Sequence, residues 1–111
     1  MGYLTTTPPL LCIEMTVLPL AVALRCAGEI DINTVDVLER ALKASLATGA
    51  EDLEVDLRSV EYLDSGTLKA LLDAYQSLAY NRRRMCVRVR PRAAALFDVT
   101  GLTRVLDVRS E

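Results

Sequence analysis

The residues most capable of chemistry lie in one short run, Asp64-Ser65-Gly66-Thr67, between an extended segment and an amphipathic segment. Leucines recur after this run at helical spacing, so the run should form the first turn of a helix. The N–H groups of a first turn lack intrahelical partners, and the helix dipole there favours negative charge. A hydroxyl on Ser65 or Thr67 could therefore accept a phosphoryl group, which would add about −1.5 to −2 charge beside Asp64. The alternative is that Asp64 or Ser65 is only the N-cap, worth ~1 kcal/mol.

The composition excludes most catalytic arrangements, because the chain contains no histidine and no tryptophan. Ser–His and Cys–His nucleophile pairs and histidine-containing zinc sites are therefore absent. Cys12, Cys26 and Cys86 have no C-x-x-C spacing, so we expect reduced, buried thiols and neither a metal site nor a redox site. A cationic neighbour such as Arg88 makes Cys86 the position for a reactive thiol, although the pattern favours an inert one. We expect no enzymatic activity and no cofactor.

Length and composition indicate one globular domain. The chain has 111 residues, of which 51% are hydrophobic and 25% are charged, a balance typical of folded rather than disordered proteins. No apolar run approaches the ~20 residues that cross a bilayer, and residues 1–10 lack the charge and apolar core of a signal peptide. We therefore expect a cytoplasmic protein without membrane insertion, with a loose tail at residues 1–10 and a domain at residues 11–111.

Two β-rich segments precede the run and predict a hairpin. They cover residues 12–18 and 21–27 and are separated by Pro19. If Pro19 and Leu20 form the loop of the hairpin, the numbers of two opposing residues sum to 39. This register places Glu14 opposite Arg25 on one face and apolar residues opposite each other on the other face, as a half-buried hairpin requires.

The remaining segments alternate between helix and strand. In order they are a helix after the turn at 28–31, a strand at 53–57, a helix ending near 81, a strand at 85–90, a helix at 91–97 and a last turn or short strand at 105–108. This order predicts an α/β fold, in which a mixed sheet of four to five strands with an N-terminal hairpin is packed by three to four helices.

Three motifs resemble those of the STAS domain, which sulfate transporters and anti-sigma factor antagonists share. They are Gly28-Glu29-Ile30-Asp31 before a helix, Val55-Asp56-Leu57 leading through Leu63-Asp64-Ser65 into a leucine-rich helix, and Thr100-Gly101-Leu102. The similarity spans residues 11–108, with the motifs in the family's order, and it implies a STAS-like fold.

The resemblance also implies a function. Standalone members of the family are mostly bacterial anti-sigma factor antagonists, which bind an anti-sigma factor that is also a serine kinase. Phosphorylation at the start of the second helix breaks that complex, and a phosphatase restores it. Carried over to this chain, the resemblance implies partner contacts at six positions: Asp64, Ser65, Gly66, Thr67, Leu68 and Leu72.

The run departs from the family's pattern at the phosphorylated position. The usual order is Asp, Ser, a phosphorylatable Ser or Thr, Gly and Leu, whereas this chain has Gly66 at the acceptor position and Thr67 at the glycine position. Either Ser65 takes the phosphate, with Thr67 as the second choice, or the protein is not phosphorylated and binds its partner constitutively.

A cluster of arginines follows the second predicted helix. Residues 1–64 carry a net charge of −7 and residues 65–111 a net charge of +5. A pI near 5.2 and 5% aromatic residues argue against nucleic-acid binding. The pattern favours a solvated face, with docking of an acidic partner second. The six residues are Arg82, Arg83, Arg84, Arg88, Arg90 and Arg92.

Other functional classes fit less well. A phosphoaspartyl receiver with Asp64 as acceptor would need an acidic pair after the first strand and a late lysine, and a nucleotide-binding module would need a glycine-rich loop. Within the resemblance, an accessory subunit that binds the ATPase of a lipid-transport ABC system is the alternative function. The sequence leaves the oligomeric state open.

Overall fold

The computed structural model describes residues 10–111, so the predicted tail lies outside the described residues except for Leu10. The described chain forms a hairpin followed by alternating helices and strands. The elements are β1 (Leu11–Val17), β2 (Ala21–Ile30), α1 (Val35–Ala47), β3 (Asp52–Leu63), α2 (Ser65–Tyr80), β4 (Arg84–Val89), α3 (Pro91–Val99), a 3-10 turn (Leu102–Arg104) and β5 (Asp107–Ser110).

The five strands form one sheet in the order β1-β2-β3-β4-β5, in which only the first pair is antiparallel. The predicted α/β fold with a mixed sheet and an N-terminal hairpin is confirmed. Each parallel crossover advances by one strand in the same direction, and such crossovers are right-handed, so the three helices cover one face of the sheet. Alternate apolar residues of β2, β3 and β4 point into the core beneath the helices.

The hairpin has the register that the sequence predicts. Glu14 lies opposite Arg25, Met15 opposite Leu24 and Val17 opposite Val22. The alternation of side chains across a strand makes this register strict, because a shift by one residue would expose every core side chain.

Strand β3 is longer than the sequence predicts, extending to Leu63 rather than ending at Leu57. The register between β2 and β3 shifts between Arg25 and Ala27 and again between Gly28 and Glu29. Such bulges interrupt the regular alternation of apolar and polar residues, which is why the alternating pattern in the sequence ends at Leu57 although the chain stays extended.

The sheet face opposite the helices carries paired charges. Arg84 contacts Asp52 across two neighbouring strands at 2.7 Å, and Arg88 lies 3.2 Å from Glu54. Glu111 also lies 3.3 Å from Arg88. The predicted solvated strand face is therefore present at these two arginines, and their charges are balanced within the domain.

Arg83 has a different role. Its guanidinium donates to the carbonyl oxygens of Ala50 at 2.6 Å and Leu46 at 3.2 Å, close to the carboxyl end of α1. Cations at that end of a helix are favoured by its dipole. No helix within residues 10–111 is long and apolar enough to span a bilayer.

Candidate functional site at the start of α2

Asp64 ends the extended chain and caps α2. Its backbone is extended, with φ −126° and ψ −172°, and its carboxylate accepts hydrogen bonds from the N–H groups of Gly66 at 3.0 Å and Thr67 at 3.3 Å. These are two of the donors that a helix leaves unpaired in its first turn. The N-cap role proposed from the sequence thus belongs to Asp64, which leaves the Ser65 hydroxyl outside the capping arrangement.

Ser65 is the first residue of α2 and is exposed, and it makes no side-chain hydrogen bond within the described residues. The N–H groups of the next two residues are already bonded to the Asp64 carboxylate. A phosphate on Ser65 would therefore add charge beside a carboxylate that already holds these two donors. The arrangement suits a modification that changes how this surface meets another protein.

The other predicted site residues are less accessible. Gly66 and Leu72 are half-buried, whereas Thr67 is 0% exposed and Leu68 is 4% exposed. The Thr67 hydroxyl is enclosed and has no hydrogen-bond partner within residues 10–111. In this conformation the side chains of Thr67 and Leu68 belong to the core, so neither can contact a partner and Thr67 cannot receive a phosphate.

A tight turn between β2 and α1 lies beside the start of α2. Because Glu29 pairs with Tyr62 and Ile30 with Leu63, the residues that follow both strands emerge at the same edge of the sheet. The turn is held by Thr34, whose hydroxyl donates to the Glu29 carbonyl at 2.9 Å and accepts from the N–H of residue 31 at 2.9 Å.

Two apolar side chains at this edge were not predicted as site residues. Ile32 in the turn is 86% exposed, and Tyr62 near the end of β3 is 53% exposed. Tyrosine is enriched among the side chains that anchor protein partners. An apolar residue inside the polar segment at residues 31–34 was the available signal for Ile32, but the exposure of Tyr62 depended on the length of β3.

The thiols differ from the sequence-based expectation. Cys12 is exposed rather than buried, whereas Cys26 is buried, and burial, aided by the charge of Asp56, raises its pKa to about 12. Burial also raises the pKa of Cys86, and the opposing influence of Arg109 and Arg88 does not reverse it. The direction of this shift agrees with the inert thiol that the sequence pattern favours, because desolvation of the thiolate outweighs the attraction of its cationic neighbours. Within residues 10–111 no three potential metal ligands cluster.

Comparison with known proteins gives consistent results. The family model described as "Mlab, STAS domain" matches residues 18–107. A curated protein named anti-sigma-B factor antagonist, from Staphylococcus epidermidis, is 33% identical over 85 residues, which cover 76% of this chain and 79% of the relative. The protein of the same name from Staphylococcus aureus is 32% identical over the same shares of the two chains.

Solved structures show the same fold. An anti-sigma factor antagonist from Mycobacterium paratuberculosis superposes with a TM-score of 0.84 at 27% identity, covering 91% of this chain and 86% of the other. The phosphorylated form of the Bacillus cell fate determinant SpoIIAA has a TM-score of 0.69 at 17% identity, covering 90% of this chain and 93% of the other, which is a similarity of fold.

Proposed function

Because the chain belongs to the STAS domain family, we propose that it is an anti-sigma factor antagonist, which binds an anti-sigma factor and so releases a sigma factor. The names of its curated relatives support this function, since the similarity covers more than three quarters of both chains. The observation that carries the mechanism is the placement of Ser65, which is exposed at the first position of α2 beside the capping carboxylate of Asp64.

The proposed partner is an anti-sigma factor that is also a serine kinase. In the unphosphorylated protein, the partner contacts the edge formed by Ile32, Tyr62, Asp64 and Ser65, which we call the strand-end surface. The two exposed apolar side chains become buried when the partner binds, and the small side chain of Ser65 allows the partner to approach the helix closely. The protein acts by binding in the cytoplasm and catalyses no reaction.

Phosphorylation of Ser65 would end the complex. The kinase transfers the γ-phosphoryl group of ATP: the bond from Ser65 Oγ to phosphorus forms, the bond between the β- and γ-phosphates breaks, the hydroxyl proton passes to the kinase and ADP leaves. The added charge lies beside Asp64, whose carboxylate already accepts the N–H groups of Gly66 and Thr67. Like-charge repulsion and the cost of desolvating the phosphate then oppose binding. A phosphatase would restore the binding form.

The departure at Gly66 defines the alternative within this function, a protein that binds constitutively. Gly66 has no hydroxyl, and the Thr67 hydroxyl is buried, so Ser65 is the acceptor that the first turn offers. Incubation with the anti-sigma factor kinase and ATP, followed by mass spectrometry of the peptide that contains Ser65, separates the two. Phosphate on Ser65 supports the switch, and an unmodified peptide supports constitutive binding.

The binding test compares three variants by isothermal titration with a purified anti-sigma factor from the same organism. Ser65→Asp should weaken binding at least tenfold, about 1.4 kcal/mol, whereas Ser65→Ala should change it less than threefold. Ser77→Asp is the matched control, because Ser77 is exposed on the same helix about 18 Å further along. Equal affinities for Ser65→Asp and Ser65→Ala would place this turn outside the interface.

A pull-down assay distinguishes this function from the second one that the resemblance allows, an accessory subunit of a lipid-transport ABC system. An affinity-tagged chain should retain the purified anti-sigma factor and not a purified transporter ATPase. Retention of the ATPase alone would overturn the proposal.

A further inference from the structure

A groove runs beside the strand-end surface, between the last residues of β3 and the first turn of α3. Its volume is about 180 Å³, and apolar atoms of Val60, Tyr62 and Leu96 line it. Arg90 and Arg92 also line the groove, and both are exposed. The groove therefore combines an apolar lining with two cations.

These two arginines differ from Arg83, Arg84 and Arg88, which have partners within the domain. Within residues 10–111, Arg83 donates to backbone carbonyls, Arg84 pairs with Asp52, and Arg88 lies against two carboxylates. Neither Arg90 nor Arg92 makes an ion pair or a side-chain hydrogen bond within that range. The charges of the groove are thus left for a group from outside the domain.

The start of α3 also favours a negatively charged group from outside the domain. Helix α2 has the Asp64 carboxylate over its first N–H groups, but α3 begins with Pro91 and has neither a side-chain cap nor an acidic residue in its first turn. The N–H groups of Ala93 and Ala94 donate to the Arg90 carbonyl, so it is the dipole of α3 that favours a carboxylate placed near this end. Glu61 is the one carboxylate among the residues that line the groove, so the lining has a net charge of +1.

We propose that this groove binds an acidic segment of the partner protein that carries an apolar side chain. The carboxylates of the segment would pair with Arg90 and Arg92, and its apolar side chain would lie against Tyr62 and Leu96. The inference rests on the proposed function and deepens it, because it specifies the chemistry of the partner at a second contact beside Ser65.

The groove can be tested with peptides of defined composition and ¹⁵N-labelled protein. The probe is the acetylated hexapeptide Asp-Glu-Leu-Asp-Glu-Leu, and its control is the same peptide with lysine in place of every acidic residue. The acidic peptide should shift the amide resonances of Tyr62, Ala93 and Leu96. Raising NaCl from 50 to 500 mM should lower the affinity of this peptide about tenfold. The lysine peptide should leave these resonances unchanged.

Paired substitutions assign the effect to the groove rather than to net charge. The double substitution Arg90→Gln with Arg92→Gln should lower the affinity for the acidic peptide at least tenfold. Arg82→Gln with Arg104→Gln removes the same charge from two exposed arginines outside the groove and should change the affinity less than twofold. Equal losses in the two double variants, or no shift at the groove with wild-type protein, would overturn the proposal. A decathymidine that shifts the groove resonances when the acidic peptide does not would overturn it as well.

Different results would refute the proposal for the groove and the proposed function. If the anti-sigma factor binds in a manner sensitive to Ser65→Asp but insensitive to the double substitution at Arg90 and Arg92, the groove is not used and the function stands. If the acidic peptide occupies the groove but the anti-sigma factor does not bind the chain, the proposed function fails.

Discussion

The backbone carbonyl oxygen of Leu10 lies directly against Gly28, where the Cβ of any other residue would be. The same oxygen accepts a hydrogen bond from the N–H of Glu29 at 2.7 Å, at the second irregularity between β2 and β3. Gly28 has φ +120°, a conformation that L side chains rarely adopt. This contact attaches the entrance of β1 to the end of β2, beside the turn that leads to the strand-end surface.

Replacing Gly28 by alanine should lower the free energy of unfolding by about 2 kcal/mol or more. The added Cβ would collide with the Leu10 carbonyl and the backbone would be strained at positive φ. Gly49→Ala is the matched control, because Gly49 also has positive φ but open space around it, and it should cost about 1 kcal/mol. Urea denaturation of the two variants measures the difference, and equal losses would show that the close contact with Leu10 contributes nothing.

Thr67→Val should raise the free energy of unfolding by about 1 kcal/mol. Valine has nearly the same shape, and it removes a buried hydroxyl that lacks a partner, a group that typically costs about 1–3 kcal/mol. Thr67→Ser keeps the hydroxyl but loses a buried methyl group, and should lower stability by about 1 kcal/mol. A loss of stability in Thr67→Val, measured at an unchanged denaturant m-value, would mean that the hydroxyl is bonded in solution.

The thiols should react with Ellman's reagent in an order set by burial. At pH 8 the exposed Cys12 should react first, Cys86 more slowly, and Cys26 only when the protein unfolds, because burial raises its pKa to about 12. Guanidinium chloride should release all three thiols. Reaction of Cys26 in the native protein at the rate of Cys12 would contradict this order.

The same pKa shift predicts a loss of stability at alkaline pH. The native state keeps the Cys26 proton, whereas the unfolded chain loses it above pH about 9, so the contribution of this group is complete below pH 9 and declines as the pH rises towards about 12. Cys26→Ala cannot ionise, and its free energy of unfolding should fall less steeply over this range. Parallel curves for the two proteins would contradict the shift.

The sequence determined the local features of the site. The alternation of side chains predicted the pairing of Glu14 with Arg25, and the leucine spacing predicted a helix that begins within residues 64–67; the structure has both. These features were predictable because they depend on periodicity and capping chemistry within a few residues. The resemblance supplied the family, which the comparisons confirm.

Contacts between distant segments were decided only by the tertiary structure. Arg84 pairs with Asp52 and Arg88 with Glu111, whereas Arg90 has no such partner in the described chain, although all three belong to one arginine-rich run. The burial of Thr67 likewise depends on the elements that pack over the first turn of α2. The pairing of a charge and the burial of a side chain depend on neighbours that folding brings together from positions far apart in the chain. Local sequence patterns therefore cannot predict either of them.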